Sequence, residues 1–310
     1  MDGGRILNED LNWPRASAWL AGDHDPEPVA TIALVGAPVR LGSLSGGQFN
    51  LAPGAIREAL GRYSTYADGV DVRSVAVDDT GDLAIAESHP DAGLEELAGA
   101  VGGSLATYEV VVVLGGDNSI TRPALRGVPP DLSRVGLLTL DAHHDLRDTK
   151  AGLTNGNPIR ALLDDGLPGR NVWQVGIQPF ANSRAYAEVA KEAGITVVTV
   201  DEVRSRGIEE ILGEALDVFV LDVDAIYVDL DVDVLDRAFA PACPGSRPGG
   251  LTPSEIQRAM RVCGSHPTVR ALDIVEVDPT KDVADVTVLA AASFFLSFAA
   301  GVASRGREAR

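Results

Sequence analysis

Four ionisable side chains fall within five residues of the stretch LLTLDAHHDLRD, residues 137–148: Asp141, His143, His144 and Asp145. A second crowd follows in AIYVDLDVDVLD, where Asp229, Asp231 and Asp233 recur at every second residue. Carboxylates this close repel and raise one another's pKa, and a bound cation removes that penalty most directly. On an extended backbone Asp141, His143 and Asp145 point to one side, while Ala142 and His144 point to the other. Mixed carboxylate and imidazole donors suit Mn2+, with Zn2+, Fe2+ and Ni2+ as alternatives, because affinity order alone does not select manganese. Five or six donors exceed what one catalytic ion needs. Two ions about 3.5 Å apart, sharing carboxylates, would use them all and supply a nucleophile at neutral pH.

Both crowds stand at the ends of apolar runs, so the elements that carry them matter. Eight β-branched segments read as strands: TIALVGAP, SVAVDD, VVVVLGGD, VGLLTLDA, NVWQVGIQ, ITVVTVDEV, AIYVDLDV and VRALDIVEVDP. Helical patterns such as PGAIREALGRY, PDAGLEELAGAVGGSLATY, NSRAYAEVAKEAG and TPSEIQRAM lie between them, the last with Thr252 and Glu255 spaced as a capping box. That alternation predicts an α/β domain whose parallel sheet is covered on both faces, and no linker composition interrupts it. In such sheets ligands bind beyond the carboxyl ends of the strands. Gly115, Gly116, Asp117 and Asn118 follow VVVVL, the two acidic crowds follow LLTL and IYV, and Glu276 and Asp278 follow LDIV.

The bulk properties exclude several classes. A chain of 310 residues, 45% hydrophobic, can bury a large core. Its formal charge of −19 disfavours nucleic acid and anionic lipid as partners. The first thirty residues lack a positively flanked apolar core, so no secretory signal is expected. Two cysteines, Cys243 and Cys263, make no disulfide framework and fit a cytoplasmic chain. The apolar stretch VADVTVLAAASFFLSFAAGVA, residues 283–303, reads as a buried C-terminal helix rather than a membrane span. LGSLSGG, residues 41–47, is followed by no Lys-Ser/Thr and reads as a flexible loop, not a phosphate cradle. Cys243, without a neighbouring His, reads as a loop or core thiol. His24, His89 and His266 sit in polar contexts and carry no assigned role.

GGDNS, DAHHD, YVDLDVDVLDRAFAPACPGSRPGGLT and EVDP, in this order and at these separations, resemble the ureohydrolase superfamily of arginases, agmatinases and formimidoylglutamases. The resemblance runs from about Ala33 to the C-terminal helix. It implies a single three-layer α/β/α domain with a mostly parallel eight-stranded sheet, spanning residues 1–310 with 1–29 as an N-terminal extension. It also implies two Mn2+ ions per subunit and hydrolysis of an amidine or guanidinium carbon. Carried over position by position, Asn118, Asp141, Asp145 and Asp231 would surround one ion, and Asp141, His143, Asp231 and Asp233 the other. The segment DVLDRAFAP sets this register, because it is similar to the family's DCLDPAFAP, and it leaves Asp229 where a Ser is usual. Asp145 would also hold the proton of the attacking hydroxide and pass it to the leaving nitrogen, and Glu276 would face the amidine nitrogen.

Three segments resemble the formimidoylglutamases most: DAHHDLR with Arg147, TNGNPIRAL with Arg160, and VGIQPFANSRAYAEVAKEAGI. A glutamate-derived substrate carries two carboxylates, which Arg grips bidentately, so Arg147 and Arg160 are candidate clamps, with surface ion pairing as their alternative. Asn155 stands among the expected substrate-binding residues, where arginases keep a proton-shuttling His, which argues against arginase. The expected reaction is conversion of N-formimidoyl-L-glutamate to L-glutamate and formamide in histidine degradation, by a cytoplasmic homo-oligomer without nucleic-acid or membrane partners. A chain at −19 attracts dicationic agmatine, so agmatine or another guanidino compound is the second reading. Asn118 replaces the family's first His ligand and weakens the metal position beside it. That departure supports a reading of another class, a binding or regulatory protein on the same fold that has lost catalysis.

Overall fold

Runs such as VVVVLG and VGLLTL offer no polar face to water, so strands made of them must be covered on both sides. The computed structural model describes residues 10, 12–85, 90–128 and 131–305, side chains of 90–94 excepted, and His89 lies outside them. All eight predicted segments form strands: β1 Ala30–Ala37, β2 Val75–Asp82, β3 Val110–Gly115, β4 Val135–Leu140, β5 Val172–Ile177, β6 Thr196–Thr199, β7 Ala225–Asp231 and β8 Val269–Val275. They make one sheet in the order β2-β1-β3-β8-β7-β4-β5-β6. Every pairing in it is parallel, beyond the mostly parallel sheet expected. The ITVVTVDEV run is a strand only to Thr199. There the Thr199 hydroxyl accepts from Glu202 N at 3.3 Å and the chain turns into a helix, a local cap overriding the β-branched pattern.

Ten helices are described: α1 Ala16–Leu20, α2 Ala52–Ala59, α3 Pro90–Leu105, α4 Thr121–Arg126, α5 Pro158–Asp164, α6 Arg184–Ala193, α7 Val200–Arg206, α8 Ile208–Asp222, α9 Pro253–Ser265 and α10 Val286–Val302. One apolar cluster joins α1, α2 and α7–α10 to one face of the sheet, and a second joins α3–α6 to the other. The result is the expected three-layer α/β/α sandwich. The Thr252–Glu255 capping box forms as read, with Thr252 N donating to Glu255 Oε2 at 2.7 Å. The apolar C-terminal stretch becomes α10, packed on α9 with most of its residues buried. No helix among the described residues is long and apolar enough to cross a membrane. Part of the N-terminal extension belongs to the fold, because Trp19 is fully buried and donates from Nε1 to Val75 O at 2.8 Å.

The strand order sets up the site. β3, β8, β7 and β4 are consecutive across the middle of the sheet, so the residues beyond their carboxyl ends meet at one rim. Gly116, just past β3, allows that convergence. A Cβ there would lie 1.7 Å from Val39 O, and the bare backbone instead donates from N to Ala37 O and accepts from Glu276 N.

Candidate metal centre

Four strand ends bring Asn118, Asp141, Asp145, Asp231, Asp233 and Glu276 into a buried crowd, with His143 half-buried above it. Asp141 follows the last residue of β4, and its Oδ1 accepts from His143 N at 2.6 Å, which turns the chain back over the cluster. His143 Nδ1 lies 2.8 Å from Asp233 Oδ2 and 3.4 Å from Asp141 Oδ1. Each of these three residues offers a donor atom within 4.8 Å of the others, a spacing one divalent ion can bridge. Asp231 ends β7, and its Oδ1 accepts from Asp233 N at 2.8 Å, so the following turn returns Asp233 to the same rim. Gly245 makes room beside Asp233, because a Cβ there would stand 2.1 Å from Oδ2.

The backbone differs from a simple period-two pattern. Asp145 reaches the cluster from a left-handed conformation, φ +52°, and Glu276 from φ +68°. Each costs roughly 1–3 kcal/mol and persists because the surroundings impose it, a mark of functional positions. His144 and Ala142 point away as read. His144 Nδ1 pairs with Gln174 Oε1 at 2.7 Å, and its backbone N donates to Asn182 Oδ1 at 2.8 Å. Asp229 departs from the acidic series. It lies one layer deeper, opposite Asp273 in the β7–β8 ladder with Thr121 Oγ1 3.4 Å from its Oδ1, and does not join Asp231 and Asp233 at the rim.

Electrostatics follow from burial. Desolvation, then the charge of Asp233, pushes Asp141 up to about 6. Desolvation and neighbouring acids also hold Asp145 and Asp231 well above the ordinary carboxylate range. Glu276 is pushed up to about 8 by burial and by Asp117. Asp233 alone is lowered against its burial, by the adjacent His143. Such a cluster is stable with ionised acids only beside compensating positive charge, and its O/N donor set fits Mn2+.

Asn118 is oriented away from ligation. Its Nδ2 donates to Asp145 Oδ2 at 2.7 Å, while its Oδ1 accepts from Thr121 Oγ1 at 2.7 Å, so the oxygen expected to face a metal faces the helix behind it. Glu276 Oε1 accepts from Asn118 N at 2.8 Å and Asn155 Nδ2 at 3.1 Å, and Oε2 has no partner among the described residues. Asn155 also accepts on Oδ1 from Leu44 N at 3.0 Å. The 41–47 loop is thereby tied down rather than loose, with Gly42 N donating to Asp117 Oδ2 at 2.9 Å.

The two candidate arginines separate. Arg147 is exposed, has no polar side-chain partner among the described residues, and packs across Gly156, where a Cβ would meet its Cδ at 2.7 Å. Arg160 instead pairs with Asp164 on the exposed side of α5, Nε to Oδ1 3.1 Å, which is the surface ion pair weighed as its alternative. An arginine not singled out from the sequence reaches the site: Arg247 Nη1 lies 2.7 Å from His143 Nε2. Its position within PACPGSRPGG carries no signal of that contact, which depends on how the loop folds back. Cys243 is buried with Sγ 4.0 Å from Asp231 Oδ1, and burial with those acids pushes its thiol far up, so it stays protonated.

Comparison with known proteins identifies the family and the fold. Residues 30–301 match the Arginase family. The chain is 36% identical over 284 residues to a formimidoylglutamase of Halalkalibacterium halodurans, covering 89% of each chain. Its fold is similar to the crystal structure of formimidoylglutamase from Bacillus subtilis, with a TM-score of 0.89, 33% identity and coverage of 98% of this chain and 96% of that one. A Trypanosoma cruzi formiminoglutamase structure with Mn2+ is similar at a TM-score of 0.83 and 26% identity, over 94% of this chain and 99% of that one. The chain therefore belongs to the arginase family.

Proposed function

We propose that this protein is a manganese-dependent amidine hydrolase that converts N-formimidoyl-L-glutamate and water to L-glutamate and formamide. The observation that carries the substrate assignment is an acid at the rim with an arginine on the neighbouring segment. Glu276 Oε2 has no partner among the described residues and can take a cationic amidine, and Arg147, without a polar side-chain partner among them, packs against Gly156, next in sequence to the Asn155 whose Nδ2 donates to Glu276 Oε1. Two relatives named formimidoylglutamase, at 36% and 35% identity, support the same choice.

Asn118, Asp141, Asp145, Asp231, Asp233 and His143 would hold two Mn2+ ions, the position beside Asn118 being the weaker. Manganese, when bound, keeps these carboxylates ionised and makes a water nucleophilic at neutral pH. Asp145, buried at the rim, would take a proton from the attacking water and deliver it to the glutamate nitrogen as the C–N bond breaks. Glu276, braced by two donors on Oε1, would orient the amidinium by accepting charge-assisted hydrogen bonds on Oε2. Oxygen from water ends in formamide, and the electron pair of the broken bond stays with the amine. We further assign the chain to histidine degradation in the cytoplasm, as a homo-oligomer of one domain per chain.

The test is a substrate panel with added Mn2+: formimidoylglutamate, agmatine, 4-guanidinobutyrate, arginine and guanidine. Formamide and glutamate from the first, at a kcat/KM at least about tenfold above the rest, is the expected result. Preferential urea release from agmatine or guanidinobutyrate overturns the substrate assignment, and inertness towards all five favours a binding protein.

A further inference from the structure

Arg247 belongs to the loop between β7 and α9, and its guanidinium reaches the metal-centre mouth without an acidic partner. Nη1 stands 2.7 Å from His143 Nε2 and donates to Gly245 O at 2.8 Å, and no carboxylate among the described residues pairs with it. Every other contact fixes the loop that presents it. Arg237 N donates to Arg247 O at 3.0 Å, Arg237 Nη1 donates to Cys243 O at 2.9 Å, and Ser246 Oγ bonds Ala240 O at 2.8 Å. The backbone of Arg247 is therefore held while its side chain remains exposed.

The contact with His143 sets a guanidinium against an imidazole, so no negative charge answers Arg247 there. His143 Nδ1 is the nitrogen turned towards Asp141 and Asp233, the direction of the donor cluster. An anion that reaches this mouth finds a guanidinium with no carboxylate partner among the described residues, and the substrate of the proposed reaction brings two carboxylates there. Arg160, by contrast, is already paired with a carboxylate, that of Asp164.

We propose that Arg247 is a specificity-determining residue that binds a carboxylate of the substrate, sharing with Arg147 the recognition of a dicarboxylate. The proposal rests on the formimidoylglutamate reading above and deepens it. It assigns recognition to a guanidinium that contacts a candidate metal ligand directly, so the acid tail of the substrate and the metal centre share one side chain.

The test compares wild type, Arg247→Ala and Arg247→Lys, each loaded with Mn2+, by kinetics on formimidoylglutamate and on formamidine, an amidine with no carboxylate. Equilibrium binding of L-glutamate by calorimetry is the second readout. Arg247→Ala should raise KM for formimidoylglutamate by about 10- to 100-fold, a loss exceeding its effect on formamidine by at least about tenfold. Its glutamate affinity should fall by a similar factor, and Arg247→Lys should recover part of both, short of wild type because a point charge replaces a bidentate fork. Equal losses on the two amidines, or unchanged glutamate binding, would overturn the proposal by showing that Arg247 acts only through His143. A wild type inert towards formimidoylglutamate but active on agmatine overturns the functional reading itself, whereas an active wild type with an unaffected Arg247→Ala variant overturns this inference alone.

Discussion

Asn118 presents its amide nitrogen, not its oxygen, to Asp145, with Nδ2 donating to Oδ2 at 2.7 Å and Thr121 Oγ1 donating to Asn118 Oδ1 from behind. Ligation by that oxygen requires the amide to turn over, giving up both bonds for a neutral donor. An imidazole at the same position brings a better ligand that has no amide to turn over.

Asn118→His should therefore move half-activation to lower Mn2+ concentration. A shift of about tenfold corresponds to about 1.4 kcal/mol, a reasonable size for replacing one weak ligand. Metal content by mass spectrometry beside Mn2+ titration of activity is the check. Dialysed wild type is expected to hold clearly fewer than two equivalents. Two tightly held ions in wild type, or no gain in the variant, would show that Asn118 is not a weak ligand.

Asp145→Asn would remove the proposed metal ligand and proton carrier, while an amide oxygen can still accept the hydrogen bond from Asn118 Nδ2. Turnover should fall by about 10² to 10⁴ with the fold intact, as for the loss of one acid–base or charge-stabilising contact. Steady-state kinetics with circular dichroism decides it. Retention of more than about a tenth of the wild-type rate contradicts the assigned role.

Arg147 and Arg160 should now behave differently. Arg147→Ala is expected to raise KM for formimidoylglutamate by about 10- to 100-fold, the loss of a charged hydrogen-bonding group. Arg160→Ala breaks only an exposed i,i+4 pair with Asp164 and should stay within about twofold. A larger effect at Arg160 would show that it leaves Asp164 for the substrate.

Much of this was legible in the sequence because the fold's main signal, continuous apolar strands separated by helices, is strong. Each of the eight predicted runs is a strand, and the acids placed at their ends meet at one rim. The end of β6 was within reach of the sequence, since Thr199 and Glu202 have the spacing of the Thr252–Glu255 cap. The rest depended on information that no short window holds, such as the left-handed backbone of Asp145, imposed by packing around the cluster. Asp229 satisfied the same period as Asp231 and Asp233, but strand register paired it with Asp273, distant in sequence. Arg160 and Arg247 show the same limit from opposite sides, since an arginine's reach lets its partner be chosen by tertiary contacts.

The raised carboxyls make metal-free protein sensitive to alkali. Asp141 rises from 3.8 to about 6 and Glu276 from 4.5 to about 8, so the folded state binds more protons than the unfolded chain between those values. Their stabilising contribution is complete below the unfolded values and is lost as pH climbs through the folded ones. Metal-free protein should melt at progressively lower temperature as pH rises towards 8, and Mn2+ should raise the melting temperature more at about pH 8 than at about pH 6. Scanning fluorimetry with and without Mn2+ measures both. A metal-free melting temperature that climbs over this range contradicts the crowded-acid account.

The central claim, that four adjacent strand ends build one two-metal centre, is tested most directly by anomalous diffraction at the manganese edge from crystals of the Mn2+-loaded protein. The account predicts two peaks, the stronger among Asp141, His143, Asp231 and Asp233 and the weaker beside Asn118 and Asp145. Manganese bound elsewhere, or no peak within this cluster, would contradict it.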